Sequence, residues 1–81
     1  MPETVADLVG YSGLSAQQMQ IVRFLEKDPS HGYTVREVAS AIHAGRTLLA
    51  RYRVAHELED LVSQGRIRSI ELEGHRNYFL R

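Results

Sequence analysis

Residues 54–67 read VAHELEDLVSQGRI, and their pattern is the clearest indication of the fold. Its apolar side chains recur at the three- and four-residue spacing of one helical face. These positions are Val54, Leu58, Leu61 and Val62. Gly65 then ends the helix, because glycine is the usual residue just beyond a helical C-terminus. Residues 66–71 are compatible with a β-strand, so a helix that leads through a glycine into a strand is predicted here.

The remaining C-terminal residues predict a hairpin. Residues 76–80 form the second β-compatible arm, and residues 73–75, Glu-Gly-His, supply the turn. One face of this hairpin is expected to pack on the helices. The residues expected on that face are Ile70, Leu72, Tyr78 and Leu80.

Two further helices are predicted upstream, each opened by a capping box. Ser15 and Gln18 have this spacing before the apolar face of Met19, Val22 and Leu25. Thr34 and Glu37 repeat it after a possible short strand at Gly32-Tyr33. The buried stripe of the second helix is Val35, Val38, Ala39 and Ile42, and Gly45 is expected to end it. The third helix is expected to begin near residue 50.

This order predicts an α+β domain over residues 14–81, in which three helices are followed by a two-stranded hairpin. Residues 1–13 form an N-terminal extension, for which a short helix that covers the core and a dimer contact both stay open. The apolar residues that would make the dimer contact are Val5, Leu8, Val9 and Tyr11.

The charge is uneven although the formal net charge is zero. Residues 1–45 carry three basic and five acidic side chains, whereas residues 46–81 carry seven and five. No acid lies between Val38 and His56, so one end of the molecule can be locally positive. The chain has no cysteine, no apolar run long enough to span a membrane, and no signal-peptide pattern at its N-terminus. A cytoplasmic protein without disulfides is expected.

The chain resembles the winged helix-turn-helix superfamily over roughly residues 14–81. Residues 33–39, YTVREVA, and the 54–67 stretch carry the resemblance. The 54–67 stretch is similar to the segment of ArsR-like and MarR-like regulators in which a recognition helix ends in glycine and leads into the wing, and the family within the superfamily stays open. Residues 77–80, NYFL, resemble the returning strand of the wing. The interval from Ile42 to Val54 is about four or five residues longer than the turn common in small regulators.

This resemblance implies a small transcriptional regulator that binds double-stranded DNA as a homodimer. The third helix would enter the major groove, and the wing would contact the backbone or the minor groove. The implied helix contacts are Arg46, Arg51, Tyr52, Arg53 and His56. The implied wing contacts are Arg68, His75, Arg76 and Asn77.

A protein-binding adaptor of the same fold is the alternative, and zero net charge and the acids Glu57, Glu59 and Asp60 favour it. Catalysis is not expected, because no nucleophile turn or phosphate-cradling glycine loop is present. No metal or other cofactor is expected either, since the His56 and Glu59 pair lacks further ligands at metal-binding spacing.

Overall fold

A computed structural model describes residues 13–80. Three helices precede a two-stranded antiparallel sheet, which confirms the predicted α+β class and order. The elements are α1 (Ala16–Glu26), α2 (Val35–Ala41), α3 (Leu48–Ser63), β1 (Arg68–Leu72) and β2 (His75–Phe79). The proposed dimer-contact residues Val5, Leu8, Val9 and Tyr11 lie outside the described residues.

Side-chain caps determine where the helices begin. Both predicted capping boxes are confirmed: the Ser15 hydroxyl accepts from the Gln18 amide at 3.1 Å, and the Thr34 hydroxyl accepts from the Glu37 amide at 3.2 Å. Thr47 caps α3 by accepting from the Ala50 amide at 3.0 Å. Because of this cap, α3 begins at Leu48, earlier than the sequence pattern predicts.

Helix α2 ends differently from the prediction. The Ala44 amide donates to the Ala39 carbonyl and the His43 amide donates to the Ser40 carbonyl, which is the Schellman arrangement. Its left-handed residue is His43, with φ 57°, and not Gly45, which lies two residues further along the chain. The left-handed conformation costs a residue with a side chain roughly 1–2 kcal/mol of free energy, and glycine therefore usually occupies this position.

The core forms where the three helices meet the hairpin. Its fully buried members come from all three helices, and Ile67 and Tyr78 close it from the sheet side. The buried apolar residues are Ile21, Val22, Leu25, Val38, Ala39, Val54, Leu58, Leu61, Ile67 and Tyr78. The predicted apolar face of α3 is therefore confirmed.

The predicted hairpin face is confirmed for Tyr78, which is buried, and for Leu80, which packs against the core, but it is wrong for β1. Tyr78 pairs with Ser69 and is buried, whereas Ile70 and Leu72 lie on the opposite face and are exposed. The inner row of β1 instead continues from the buried Ile67. A shift of one residue transfers a whole row of side chains to the other face of a strand, which explains the error.

The hairpin turn and the predicted strand at Gly32-Tyr33 are both shorter than expected. Leu72 pairs with His75, so the turn is the two residues Glu73 and Gly74, both with positive φ. Tyr33 forms a single antiparallel bridge with Tyr78, through two backbone hydrogen bonds of 2.9 and 2.8 Å. This bridge ties the entry of α2 to the hairpin. Among residues 13–80, no helix has the length and hydropathy needed to cross a membrane.

Candidate nucleic-acid interface

The N-terminal part of α3, residues 48–56, has one strongly exposed face. Leu48, Leu49 and Tyr52 are 81%, 60% and 73% accessible, and Arg53 and His56 are also exposed. They lie opposite the buried line of α3 because helical side chains repeat every 3.6 residues. This surface therefore combines apolar contact area with cationic and hydrogen-bonding groups.

A basic cleft lies beside this surface, between the end of α2 and the start of α3. Its volume is about 470 Å³, and we refer to it as the arginine cleft. The lining residues are Arg36, Ala39, Ser40, His43, Gly45, Arg46 and Arg51. Three cationic side chains line it and no carboxylate does.

The guanidinium groups of this cleft have no internal counterion. Within residues 13–80, no carboxylate lies within ion-pair distance of Arg36, Arg46 or Arg51. The structure thus brings together two predicted contact residues, Arg46 and Arg51, with two that sequence reasoning missed, Arg36 and His43. A signal for the missed pair existed, since Arg36, Ser40 and His43 follow the spacing of one helical face.

A second cleft joins the other predicted residues of α3. It has a volume of about 340 Å³ and lies between α1 and α3. Its lining residues are Gln17, Tyr52, Arg53, His56 and Glu57. The predicted helix contacts therefore divide into two groups, on either side of the exposed face of α3.

The carboxylates of α3 are all engaged by other parts of the molecule. Glu57 accepts from the Ser15 hydroxyl at 2.7 Å. Asp60 accepts from the Gln18 side-chain amide at 2.7 Å and from the Gln64 side-chain amide at 2.9 Å. These bonds fasten the second half of α3 to the beginning of α1.

The third carboxylate, Glu59, fastens α3 to the hairpin. It accepts a short hydrogen bond from the Tyr78 hydroxyl, and an Arg76 nitrogen lies 3.5 Å from the same carboxylate oxygen. Burial, followed by the hydrogen bond and the negative charge of Glu59, raises the pKa of Tyr78 well above its usual value of 10. The phenol therefore stays protonated and donates to Glu59 at neutral pH.

The hairpin divides the predicted wing residues between its two faces. Arg76 lies on the inner face, where it also donates to the Ser69 hydroxyl at 3.2 Å. His75, Asn77 and Arg68 lie on the outer face, by the alternation of a β-strand. Asn77 is half buried and packs closely against Gly32, since a Cβ placed on Gly32 would lie only 3.2 Å from the Cβ of Asn77. The hairpin residues therefore do not form one continuous basic row.

The charge of Arg76 is offset by Glu59, whereas the three arginines of the arginine cleft share it with no carboxylate of residues 13–80. Among the described residues, no three His, Asp or Glu side chains are grouped so that they could hold a metal ion.

Comparisons with protein-family models, with curated proteins and with solved structures find no match to this chain. The geometry and charge of residues 13–80 are thus the basis on which a function is assigned.

Proposed function

We propose that this chain is a winged-helix protein that binds duplex DNA and acts as a small transcriptional regulator. Helix α3 enters the major groove, and the β1–β2 hairpin is the wing. The observation that carries the proposal is the division of charge on α3 and its neighbours. The carboxylates are held in internal hydrogen bonds, while Arg46, Arg51 and Arg53 have no carboxylate partner among residues 13–80.

Unpaired guanidinium groups suit a duplex because each neutralised phosphate releases condensed counterions. Arginine also donates two hydrogen bonds to the edge of guanine, which contributes about 1–3 kcal/mol of discrimination against other bases. Leu48 and Leu49 supply apolar groups of the kind that contact thymine methyls. The first half of α3 thus carries chemistry for both phosphates and bases.

The wing is expected to contribute less to DNA binding than α3 does. Because Arg76 is held by Glu59, its contribution to binding is weaker than that of Arg53. The outer-face residues Arg68, His75 and Asn77 then make the contact with the backbone or minor groove. A homodimer remains part of the proposal, since one recognition helix reads only a few base pairs.

The test is the affinity for a labelled random-sequence duplex, measured by fluorescence anisotropy across a salt series. We expect Arg53→Gln to weaken binding about tenfold at low salt and to reduce the slope of log affinity against log salt by about 0.9. Arg76→Gln is expected to have a smaller effect. Lys27→Gln, which removes one positive charge at the end of α1, is the matched control and should bind like the wild type.

If the wild-type chain binds no duplex even at low salt, the DNA proposal is wrong. Equal weakening by Arg53→Gln and Lys27→Gln would also contradict it, because the effect would then follow from net charge alone.

A protein-binding adaptor is the second candidate, and the exposure of Leu48, Leu49 and Tyr52 favours it. Grouped exposed apolar side chains with polar groups around them are a feature of protein interaction sites. A Leu48→Ser, Leu49→Ser double variant distinguishes the two. For an adaptor it should abolish partner binding, whereas for a DNA-binding protein it should leave the salt dependence of duplex binding intact.

A further inference from the structure

We infer that the arginine cleft is a binding site for a phosphate group, held by Arg36, Arg46 and Arg51 with His43 as a fourth donor. The groups come from three parts of the chain: Arg36 from α2, Arg46 from the α2–α3 connection and Arg51 from α3. Arg46 and Arg51 also belong to the proposed DNA-binding surface, and Arg36 and His43 complete a phosphate site with them.

The first argument is electrostatic. Three guanidinium groups line one cleft, and an anion bound between them would offset their mutual repulsion, which solvent only partly screens. Within residues 13–80 no carboxylate lines the cleft or pairs with these arginines. Arginine donates in a planar fork that matches the oxygens of a phosphate, and phosphate is therefore the anion that the cleft suits best.

The second argument is the backbone at His43. Both α2 and α3 end in a Schellman motif, and the left-handed position is Gly65 in α3 but His43 in α2. Nothing in the hydrogen bonding of the motif requires a side chain there. The histidine lies on the cleft wall, and strained residues of this kind cluster where a ligand is held.

The third argument is size. A volume of about 470 Å³ exceeds that of a bare phosphate ion and lies within the range of small-molecule pockets. The phosphate can therefore belong to the DNA backbone or to a free phosphorylated small molecule. The chemistry that recognises it is the same in both cases.

The experiment is an NMR titration of the ¹⁵N-labelled full chain at constant ionic strength. The probes are inorganic phosphate and adenosine monophosphate, with sodium chloride as the reference. We expect saturable shifts of the amides of His43, Gly45 and Arg46. Arg36→Gln and Arg51→Gln should each weaken phosphate binding about fivefold, whereas Lys27→Gln should leave it unchanged.

The His43→Gly variant separates binding from folding. It removes a side chain from a left-handed position, so its urea midpoint should equal or exceed that of the wild type. Its phosphate affinity should nevertheless fall about threefold. A His43→Gly chain that binds phosphate as tightly as the wild type would overturn the assignment of His43.

Competition between a DNA duplex and inorganic phosphate identifies the molecule to which the bound phosphate belongs. If a duplex displaces inorganic phosphate and Arg36→Gln weakens duplex binding, the cleft holds a backbone phosphate. If adenosine monophosphate binds at least tenfold more tightly than inorganic phosphate and the duplex does not compete, the ligand is a small phosphorylated molecule.

The inference is wrong if neither probe gives saturable shifts, or if Lys27→Gln weakens binding as much as Arg51→Gln. Duplex binding by the wild type is measured separately, so failure of the cleft and failure of the proposed function give different results.

Discussion

The two halves of α3 use their polar side chains in opposite ways. In the second half, Glu57, Glu59 and Asp60 each accept a hydrogen bond from α1 or from the hairpin. In the first half, Arg51 and Arg53 have no carboxylate partner among the described residues. A single helix thus positions itself with one half and leaves the other half available to a partner.

This difference explains how a chain with no net charge can present a positive surface. The negative charges of α3 lie where they stabilise the fold, and the positive charges lie where nothing internal neutralises them. Local fields depend on such an arrangement and not on the sum of the charges. The contrast between the halves predicts that mutations of polar side chains in the second half affect stability, and that mutations of polar side chains in the first half affect binding.

The largest expected effect compares two leucines of α3. Leu61 is fully buried, and Leu61→Ala should lower the free energy of unfolding by about 3 kcal/mol, because it removes core packing and leaves a cavity. Leu49→Ala, the same change in the exposed half, should alter it by less than about 0.5 kcal/mol. Urea unfolding followed by circular dichroism measures both. Similar losses for the two variants would mean that Leu49 is packed in the folded core like Leu61.

An intermediate effect is expected for the bond between α3 and α1. The Gln18 side chain is only 3% exposed and donates to Asp60. Asp60→Ala should lower the free energy of unfolding by about 2 kcal/mol, since a buried amide then loses its acceptor. Arg53→Ala is the control from the first half, with an expected change below about 0.5 kcal/mol. The division between the halves fails if Arg53→Ala proves the more destabilising of the two.

The smallest expected effect concerns the bond between α3 and the hairpin, and it depends on pH. Tyr78→Phe should lower the free energy of unfolding by about 1 kcal/mol at pH 7, because the hydroxyl no longer donates to Glu59.

The raised pKa of Tyr78 adds a second expectation for the wild type. Above about pH 10 the unfolded chain releases the phenolic proton while the folded chain keeps it, so stability falls as pH rises.

Urea unfolding from about pH 8 to about pH 11 tests this dependence. Tyr33 and Tyr52 are present in both chains, and the difference between wild type and Tyr78→Phe therefore isolates the contribution of Tyr78. Parallel stability curves for the two chains above pH 10 would contradict the raised pKa.

Much of the fold was predictable because its signals are local. The caps at Ser15 and Thr34 and the apolar repeat of α3 involve residues no more than four positions apart. Side chains at these distances meet as soon as a helix forms. The helix order and the hairpin follow from such patterns.

The candidate site was predictable only in part. Sequence patterns place Arg46 and Arg51 near the start of α3, and the acid-free interval around them indicates a positive region. They do not show that Arg76 is held by Glu59, or that Arg36 and His43 share a cleft with Arg51. Each of these contacts joins separate elements, so it depends on how the helices and the hairpin pack.

Local sequence patterns therefore predict the three helices, the caps at Ser15 and Thr34 and the uneven distribution of charge, because each of these depends on neighbouring residues. The packing of the helices and the hairpin sets which face of the hairpin is buried, which arginine is paired with a carboxylate and which side chains line the arginine cleft. The physical reason is that strand register and helix packing are set by the burial of distant residues together, and a one-residue change in register reverses a whole face.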